Sequence, residues 1–266
     1  MNETAPILLK ETSAGILRLT LNRPGVGNCL SLELMQDMTK EIIAAGSNTD
    51  VKVIIIAGNG RLYCSGHDLK EMTARRGDEG GGRAFFETTL LACCTMMQSI
   101  IECPKPVIAQ VQGPALAAGA QLIATCDLAV ASENAGFCLP GVNIGLFCST
   151  PMVAVSRNIS HKHTMEMLLT GDMITAKRGC EMGLVNRVVA ENNLAAETEA
   201  LALKVASKSS AVLKIGKKAF YEQAEMSLKS ANEHTTRIMI ENMLNEAAQE
   251  GIGAFLEKRE ADWPQE

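Results

Sequence analysis

Leu17, Leu19 and Leu21 alternate with Arg18, Thr20 and Asn22, which is the period of a half-buried strand. Asn22-Arg23-Pro24-Gly25 ends it. Ser31 then offers a helix cap, Glu33 lies in the first turn, and Leu34, Met38 and Ile42 recur on one helical face. Val53-Ile54-Ile55-Ile56 is an unbroken β-branched run closed by Gly58, the pattern of a strand covered on both faces in a parallel sheet. The glycine-rich, charged stretch from Gly77 to Arg83 reads as a mobile loop. Phe86, Leu90, Met97 and Ile101 mark another helix, stopped by Pro104 and Pro106. Residues 106–111 form a second buried strand, which turns at Gly113-Pro114 into a run of small residues, Ala115 to Ala120. Strand, helix and strand in this order predict right-handed βαβ crossovers.

Beyond about residue 150 the strand signal fades. Helices are predicted near 162–169, 175–183, 193–207, 210–248 and 250–260, with one break in the long one. There is no low-complexity linker and no repeat of fixed period. The reading is an α/β core over residues 1–195 followed by a helical region over 196–266. Ile238, Met239, Met243 and Leu244 leave that region apolar area to cover against its own core or a neighbour.

Of the 266 residues, 47% are hydrophobic but only 3% aromatic, so the core is aliphatic and filled by the 14 methionines. A net charge of −5 argues against a nucleic-acid partner. Met1-Asn2-Glu3-Thr4 lacks the basic start of a secretory leader, and runs such as Val53 to Ala57 are too short to span a bilayer, so no membrane insertion is expected. Nine cysteines, without a CxxC, read as reduced, mostly buried thiols, and a cytoplasmic location is expected.

Three segments resemble the enoyl-CoA hydratase/isomerase, or crotonase, family. Tyr63-Cys64-Ser65-Gly66-His67-Asp68-Leu69-Lys70-Glu71-Met72 is similar to its F-(A/S)-(A/S)-G-x-D-(L/I)-x-E-M loop. Pro106-Val107-Ile108-Ala109, Gly113-Pro114-Ala115-Leu116-Ala117-Ala118-Gly119-Ala120-Gln121-Leu122 and Cys126-Asp127 resemble its K-P-V-I-A-x-V-x-G-x-A-x-G-G-G-x-E-L stretch. Phe137 to Gly145 resembles F-x-x-P-E-x-x-x-G. The likeness continues in order through Leu169–Asp172, Gly183–Asn186 and Phe255–Arg259.

The resemblance implies a ββα spiral core, a C-terminal trimerisation region, and trimers or dimers of trimers. It also implies an acyl-CoA thioester as substrate, with no further cofactor and no metal. Thioester chemistry puts negative charge on the carbonyl oxygen, and two backbone N–H donors aimed there stabilise it; losing one typically costs roughly 10²–10³ in rate. The resemblance implies that the donors belong to Ser65 and Ala118, with Gly66 and Gly119 giving room for close approach. It lays the pantetheine of CoA along Ser65-Gly66-His67-Asp68 and offers Arg23, Lys70 and Lys258 for phosphate contacts. The alternative for each of these cations is a solvated surface charge.

The departures matter as much. The family's hydratases use two glutamates, and here those positions hold Gln121 and Gly141. A neutral amide cannot exchange a proton near pH 7, and glycine has no side chain. General acid–base help is worth roughly 10²–10⁴-fold, so ordinary hydration is expected to be weak. Ser149 stands where other members carry an aspartate. His67, Asn143 and Cys148 are the remaining polar candidates; His67 either titrates or only holds the loop, and Glu71 orients it. Ser65, His67 and Asp68 are too close in sequence to form a hydrolase triad. The rings of His161 and His163 point apart on a helix. Three readings stay open: a weak hydratase acting on trans-2-enoyl-CoA, a non-catalytic acyl-CoA binder, and slow thioester hydrolysis.

Overall fold

The computed structural model describes residues 5–264. The residues Met1 to Thr4, read above for a leader, lie outside them. The chain starts with a hairpin, β1 (Leu8–Ser13) and β2 (Ile16–Leu21), turned by Ala14 and Gly15, both in the left-handed region. Ser31 Oγ accepts the Leu34 N–H at 3.3 Å and starts α1 (Leu32–Ser47), which buries Leu34, Met35, Met38, Ile42 and Ala45. β3 (Val53–Gly58) follows. The expected loop of 77–83 lies between the short α2 (Leu69–Ala74) and the long α3 (Arg83–Glu102). Then come β4 (Val107–Val111), β5 (Ala115–Leu116), α4 (Ala118–Thr125), β6 (Leu128–Ser132) and β7 (Gly136–Cys138). Next are α5 (Pro151–Asn158), α6 (His161–Thr170), β8 (Ile174–Thr175), α7 (Ala176–Met182) and β9 (Arg187–Val189). Four helices complete the chain: α8 (Leu194–Ala206), α9 (Ser210–Ala224), α10 (Leu228–Leu244) and α11 (Glu246–Glu257).

Six strands make one sheet in the order β1-β2-β3-β4-β6-β9, antiparallel only at the hairpin. β5, β7 and β8 make a smaller sheet. The β-branched run behaves as its pattern requires. Ile54 and Ile56 enter the larger core with α1, α3 and α4, while Val53 and Ile55 face a smaller core with Ile16, Ile108, Ala202 and Ala206. Alternate side chains of one strand thus serve two cores.

That smaller core moves a boundary. Ala202 and Ala206 belong to α8, so α8 is the cover of the sheet's second face and the core extends to about residue 207. The division expected at 195/196 falls inside this helix. The helix expected over 210–248 breaks at 225–227, where Ser227 caps α10 by accepting the Ser230 N–H, and again at Asn245. From Glu79 to Glu102 the chain is long and apolar enough by length and composition to cross a membrane, contrary to the sequence reading, but α3 packs on α1 and buries Cys93, Met96, Met97 and Ile100.

The C-terminal helices are held to the core by a polar knot. Lys217 of α9 donates to the carbonyls of Ile100 and Lys105 at 2.8 and 3.0 Å and to Asp127 Oδ2 at 2.6 Å. Tyr221 OH donates to Asp127 Oδ1 at 2.9 Å, and the Val107 N–H donates to Oδ2 at 2.7 Å. The ion pair is nearly closed to solvent, so its charges depend on these partners.

Candidate active site

Two segments meet at the carboxyl end of the main sheet. The Tyr63 N–H donates to the Pro114 carbonyl at 3.0 Å, and the Leu116 N–H donates to the Cys64 carbonyl at 2.9 Å. This short parallel ladder then stops, because the chains turn away at Gly66 and Ala117. Gly66 sits at φ +93°, and Ala117 at φ 48°, ψ −115°. The latter conformation strains an L-residue by about 1–3 kcal/mol. It is held by the Ala117 N–H, which donates to the Cys138 carbonyl at 3.0 Å. A Cβ placed on Gly66 would lie 3.5 Å from the Ala118 nitrogen, so the walls are close after they diverge.

The free donors are not quite those the resemblance implied. The Ser65 N–H is spent on the Gly27 carbonyl at 2.9 Å, which removes Ser65 as an oxyanion donor. The Gly66 N–H lies against the Cys64 sulfur. Among the described residues, the His67 N–H has no acceptor, and neither does the Ala118 N–H in the first turn of α4. His67 and Ala118 are therefore the residues whose N–H groups are left free here, with the positive end of the α4 dipole behind one of them. Gly119 is required for space: a Cβ there would sit 2.3 Å from the Cys64 carbonyl oxygen. Gly66 is required for conformation, so Gly66→Val would strain the fold as well as block the site.

The loop is tied from several sides. Asp68 caps α2 by accepting the Glu71 N–H at 3.2 Å and pairs with Arg23 Nη2 at 3.0 Å. Burial pushes the Asp68 carboxyl up, but the Glu71 N–H, Cys29 and Arg23 outweigh it and hold the group below its ordinary value. Arg23 also donates to the Cys29 carbonyl at 2.7 Å, so its guanidinium is engaged within the protein and the phosphate reading is set aside. Glu71 accepts the Leu32 N–H at 3.1 Å and links the loop to the start of α1. Lys70 is exposed on α2. Lys258, also exposed, caps the end of α11 among the C-terminal helices.

Asn28 is the organising residue that the sequence reading missed. It is fully buried at φ 52°, and its Nδ2 donates to the carbonyls of Asn59 and Leu62, both at 2.8 Å. Its Oδ1 accepts the Arg23 N–H. The available signal was Gly27-Asn28 just after Pro24-Gly25, since asparagine tolerates the left-handed region better than most residues.

At the glutamate positions, Gln121 is 6% exposed, one helical turn beyond Ala118, and its Oε1 has no partner. Gly141 lies in a 3-10 turn, Pro140–Ile144. Its φ is not in the left-handed region, and a Cβ there would meet Cys148 Sγ and the Leu146 oxygen at 3.0 Å each, so a side chain would need these neighbours to give by a few tenths of an ångström. Cys148 is buried, its thiol is pushed up by burial, and no hydrogen bond to a base activates it. Asn143 and Ser149 are exposed nearby, and Ser149 Oγ donates only to the Phe147 carbonyl. His161 and His163 lie in the first turn of α6, and no group of three or more metal-type side chains forms among the described residues. The nine cysteines are all free, with only Cys94 exposed.

The spiral of paired sheets and the two facing free N–H groups define a crotonase-fold protein. The chain belongs to the enoyl-CoA hydratase/isomerase family, whose pattern matches residues 11–266. It is 42% identical over 97% of its length, and 86% of the relative's, to enoyl-CoA hydratase domain-containing protein 3, mitochondrial, of Xenopus laevis. The crystal structure of the human protein of that type superimposes with a TM-score of 0.92 at 41% identity, covering 97% of this chain and all of the other. An enoyl-CoA hydratase from Mycobacterium smegmatis gives 0.92 at 42% identity, with 97% and 99% coverage. The cytoplasmic expectation is overturned: the relatives of this type from Xenopus, mouse and human are named mitochondrial.

Proposed function

We propose that this chain binds an acyl-CoA thioester and stabilises negative charge on its carbonyl oxygen through the N–H groups of His67 and Ala118. The observation that carries this is the end of the Cys64–Leu116 ladder, where two backbone donors on facing segments lack acceptors. The neighbouring glutamate positions are Gln121 and Gly141, so the hole works without the usual acid and base. Hydration of trans-2-enoyl-CoA is then the nominal family reaction, run slowly. CoA lies along residues 65–68, with Lys70 free to meet a phosphate. The working form is a trimer or a dimer of trimers, which covers the apolar faces of α10 and α11.

The test follows crotonyl-CoA absorbance and CoA release in parallel, with crotonyl-CoA and butyryl-CoA binding measured by calorimetry. Binding is expected, with hydration at least about 100-fold below a two-glutamate hydratase. CoA release without hydration would make the chain a thioesterase instead. Failure to bind either thioester would end the proposal.

A further inference from the structure

A cavity of about 930 Å³ opens at the other end of the main sheet. Small-molecule sites typically enclose roughly 300–1,000 Å³. Its walls are the end of α1, the second half of α3 and the start of α9, and Pro104 and Lys105 close it just before β4. α1 runs from the Glu71–Leu32 bond, beside the loop of the hole, to this cavity, and its 16 residues set the two sites about 24 Å apart. Ile42 and Cys103 are buried where they line it, whereas Ile43 stands 61% exposed. The charged groups of the lining are unequal. Lys105 and Lys214 both belong to it, and among the described residues neither ammonium has an ion pair or a hydrogen bond. Lys217, one turn further along α9, instead turns its ammonium inward to three oxygens. Glu102 is the one carboxylate of the lining, and it already accepts Gln98 Nε2 at 3.0 Å. Two cations against one anion is a local positive excess on a chain whose net charge is −5.

We propose that this cavity binds a fatty carboxylate, its aliphatic chain against Ile42, Ile43, Cys103 and Pro104 and its carboxylate at Lys105 and Lys214. An apolar wall with a few polar groups hides one end of a ligand and fixes the other. A bare anion leaves Ile43 open to water, and a neutral chain leaves both ammonium groups without a partner. A cation meets the positive excess. An anion with an aliphatic tail answers both halves of the lining. The site is separate from the hole, so it stands whatever the hole binds. Cys94, the exposed thiol among the nine, also lines the cavity and serves as a reporter of its occupancy.

The experiment titrates the intact protein with decanoate by calorimetry, beside hexanoate, decanol and inorganic phosphate. Decanoate is expected to bind, and affinity to fall roughly fourfold for each methylene removed towards hexanoate. Decanol, without the charge, and phosphate, without the chain, are each expected to bind at least about tenfold more weakly than decanoate. Lys214→Glu, at an exposed helix position, and Lys105→Gln, which keeps the backbone carbonyl, are each expected to weaken decanoate at least about tenfold in a folded chain. Bound decanoate is expected to shield Cys94 from N-ethylmaleimide, read by mass spectrometry of its peptide, and butyryl-CoA is expected not to. Ile43→Glu is expected to lose decanoate while sedimenting as the wild type does. Absence of decanoate binding overturns the proposal, as does binding that leaves Cys94 unshielded, which would place the ligand elsewhere. Decanol or phosphate binding as tightly as decanoate, or lysine variants that bind decanoate unchanged, overturns it too. If Ile43→Glu instead dissociates an assembly, a second copy of the chain covers the cavity and the proposal falls.

Discussion

The sheet-and-helix core and the C-terminal helices satisfy their apolar residues in opposite ways. In α1 five large or small apolar side chains are buried along one face, and β3 hides five consecutive residues. In α9 only Ala219 is buried, in α10 only Ala231, and in α11 only Ala247 and Ala254. Those same three helices expose Phe220, Leu228, Met239, Leu244, Phe255 and Leu256, each more than half open. The core is complete within one chain. The C-terminal part is attached to it through Lys217, Tyr221 and Asp127 and offers its apolar faces elsewhere. Large apolar side chains left open in this number are what an interface would cover. One region is thus held by burial within the chain, and the other is tied to it by a few polar bonds.

Breaking the polar bonds gives the largest effect. Lys217→Met takes the ammonium from the Asp127 carboxylate and from the Ile100 and Lys105 carbonyls, and a stability loss of about 3 kcal/mol is expected in urea unfolding. Adding Asp127→Asn should return part of that loss; full additivity of the two changes would show that the groups do not act together. Next, Leu244→Glu puts a charge on the exposed face of α10. If the proposed trimer forms through this face, sedimentation should then shift towards monomer while unfolding of the single chain hardly changes, and an unaltered assembly would move the interface to another face.

Smaller effects sharpen the contrast from the core's side. Ala117→Gly relieves the strained backbone beside the hole. Relief of about 1–3 kcal/mol outweighs the roughly 0.4–1 kcal/mol that glycine adds to the freedom of the unfolded chain, so a net gain of about 1 kcal/mol is expected from thermal or urea melts. A loss would mean that the alanine methyl packs more than it strains. The smallest effect is that of pH. Burial lowers the pKa of His67 in the folded chain below its ordinary 6.5. The unfolded chain therefore takes up the proton first on acidification. The contribution is fully present above about pH 6.5 and is lost as pH falls towards the folded value, by at most about 1.4 kcal/mol per pH unit. Comparing wild type with His67→Asn between pH 7.5 and 5.5 isolates it, and parallel curves would show that the ring is not buried as described.

What could be read beforehand follows from locality. The Val53–Ile56 run, the Ser31 cap and the small residues at 117–120 carry their message within a few positions, and the strand, helix and close approach they announce are present. The free donor was misplaced by two residues because the carbonyl that occupies the Ser65 N–H comes from Gly27, far back in the chain. Arg23 looked like a ligand for phosphate because its partner Asp68 is 45 residues away. The core boundary was set early because the apolar positions of α8 find their partners on the back of β3 and β4. The tight fit at Gly141 is set by the Cys148 thiol and the Leu146 carbonyl, each 3.0 Å from where a Cβ would lie. In each case the missing information was a contact between distant segments.

The knot at Lys217 also imposes an order of events on a chain made from its amino end. All six strands of the main sheet have been synthesised once Val189 is complete, and the helix that covers its back once Ala206 is. At that moment Asp127 can hold the Val107 N–H, but the ammonium and phenol that complete its shell have not yet been translated. The carbonyls of Ile100 and Lys105 wait for the same ammonium. The shell around Asp127 can therefore close only after α9 has been made, later than every strand of the sheet that it ties down.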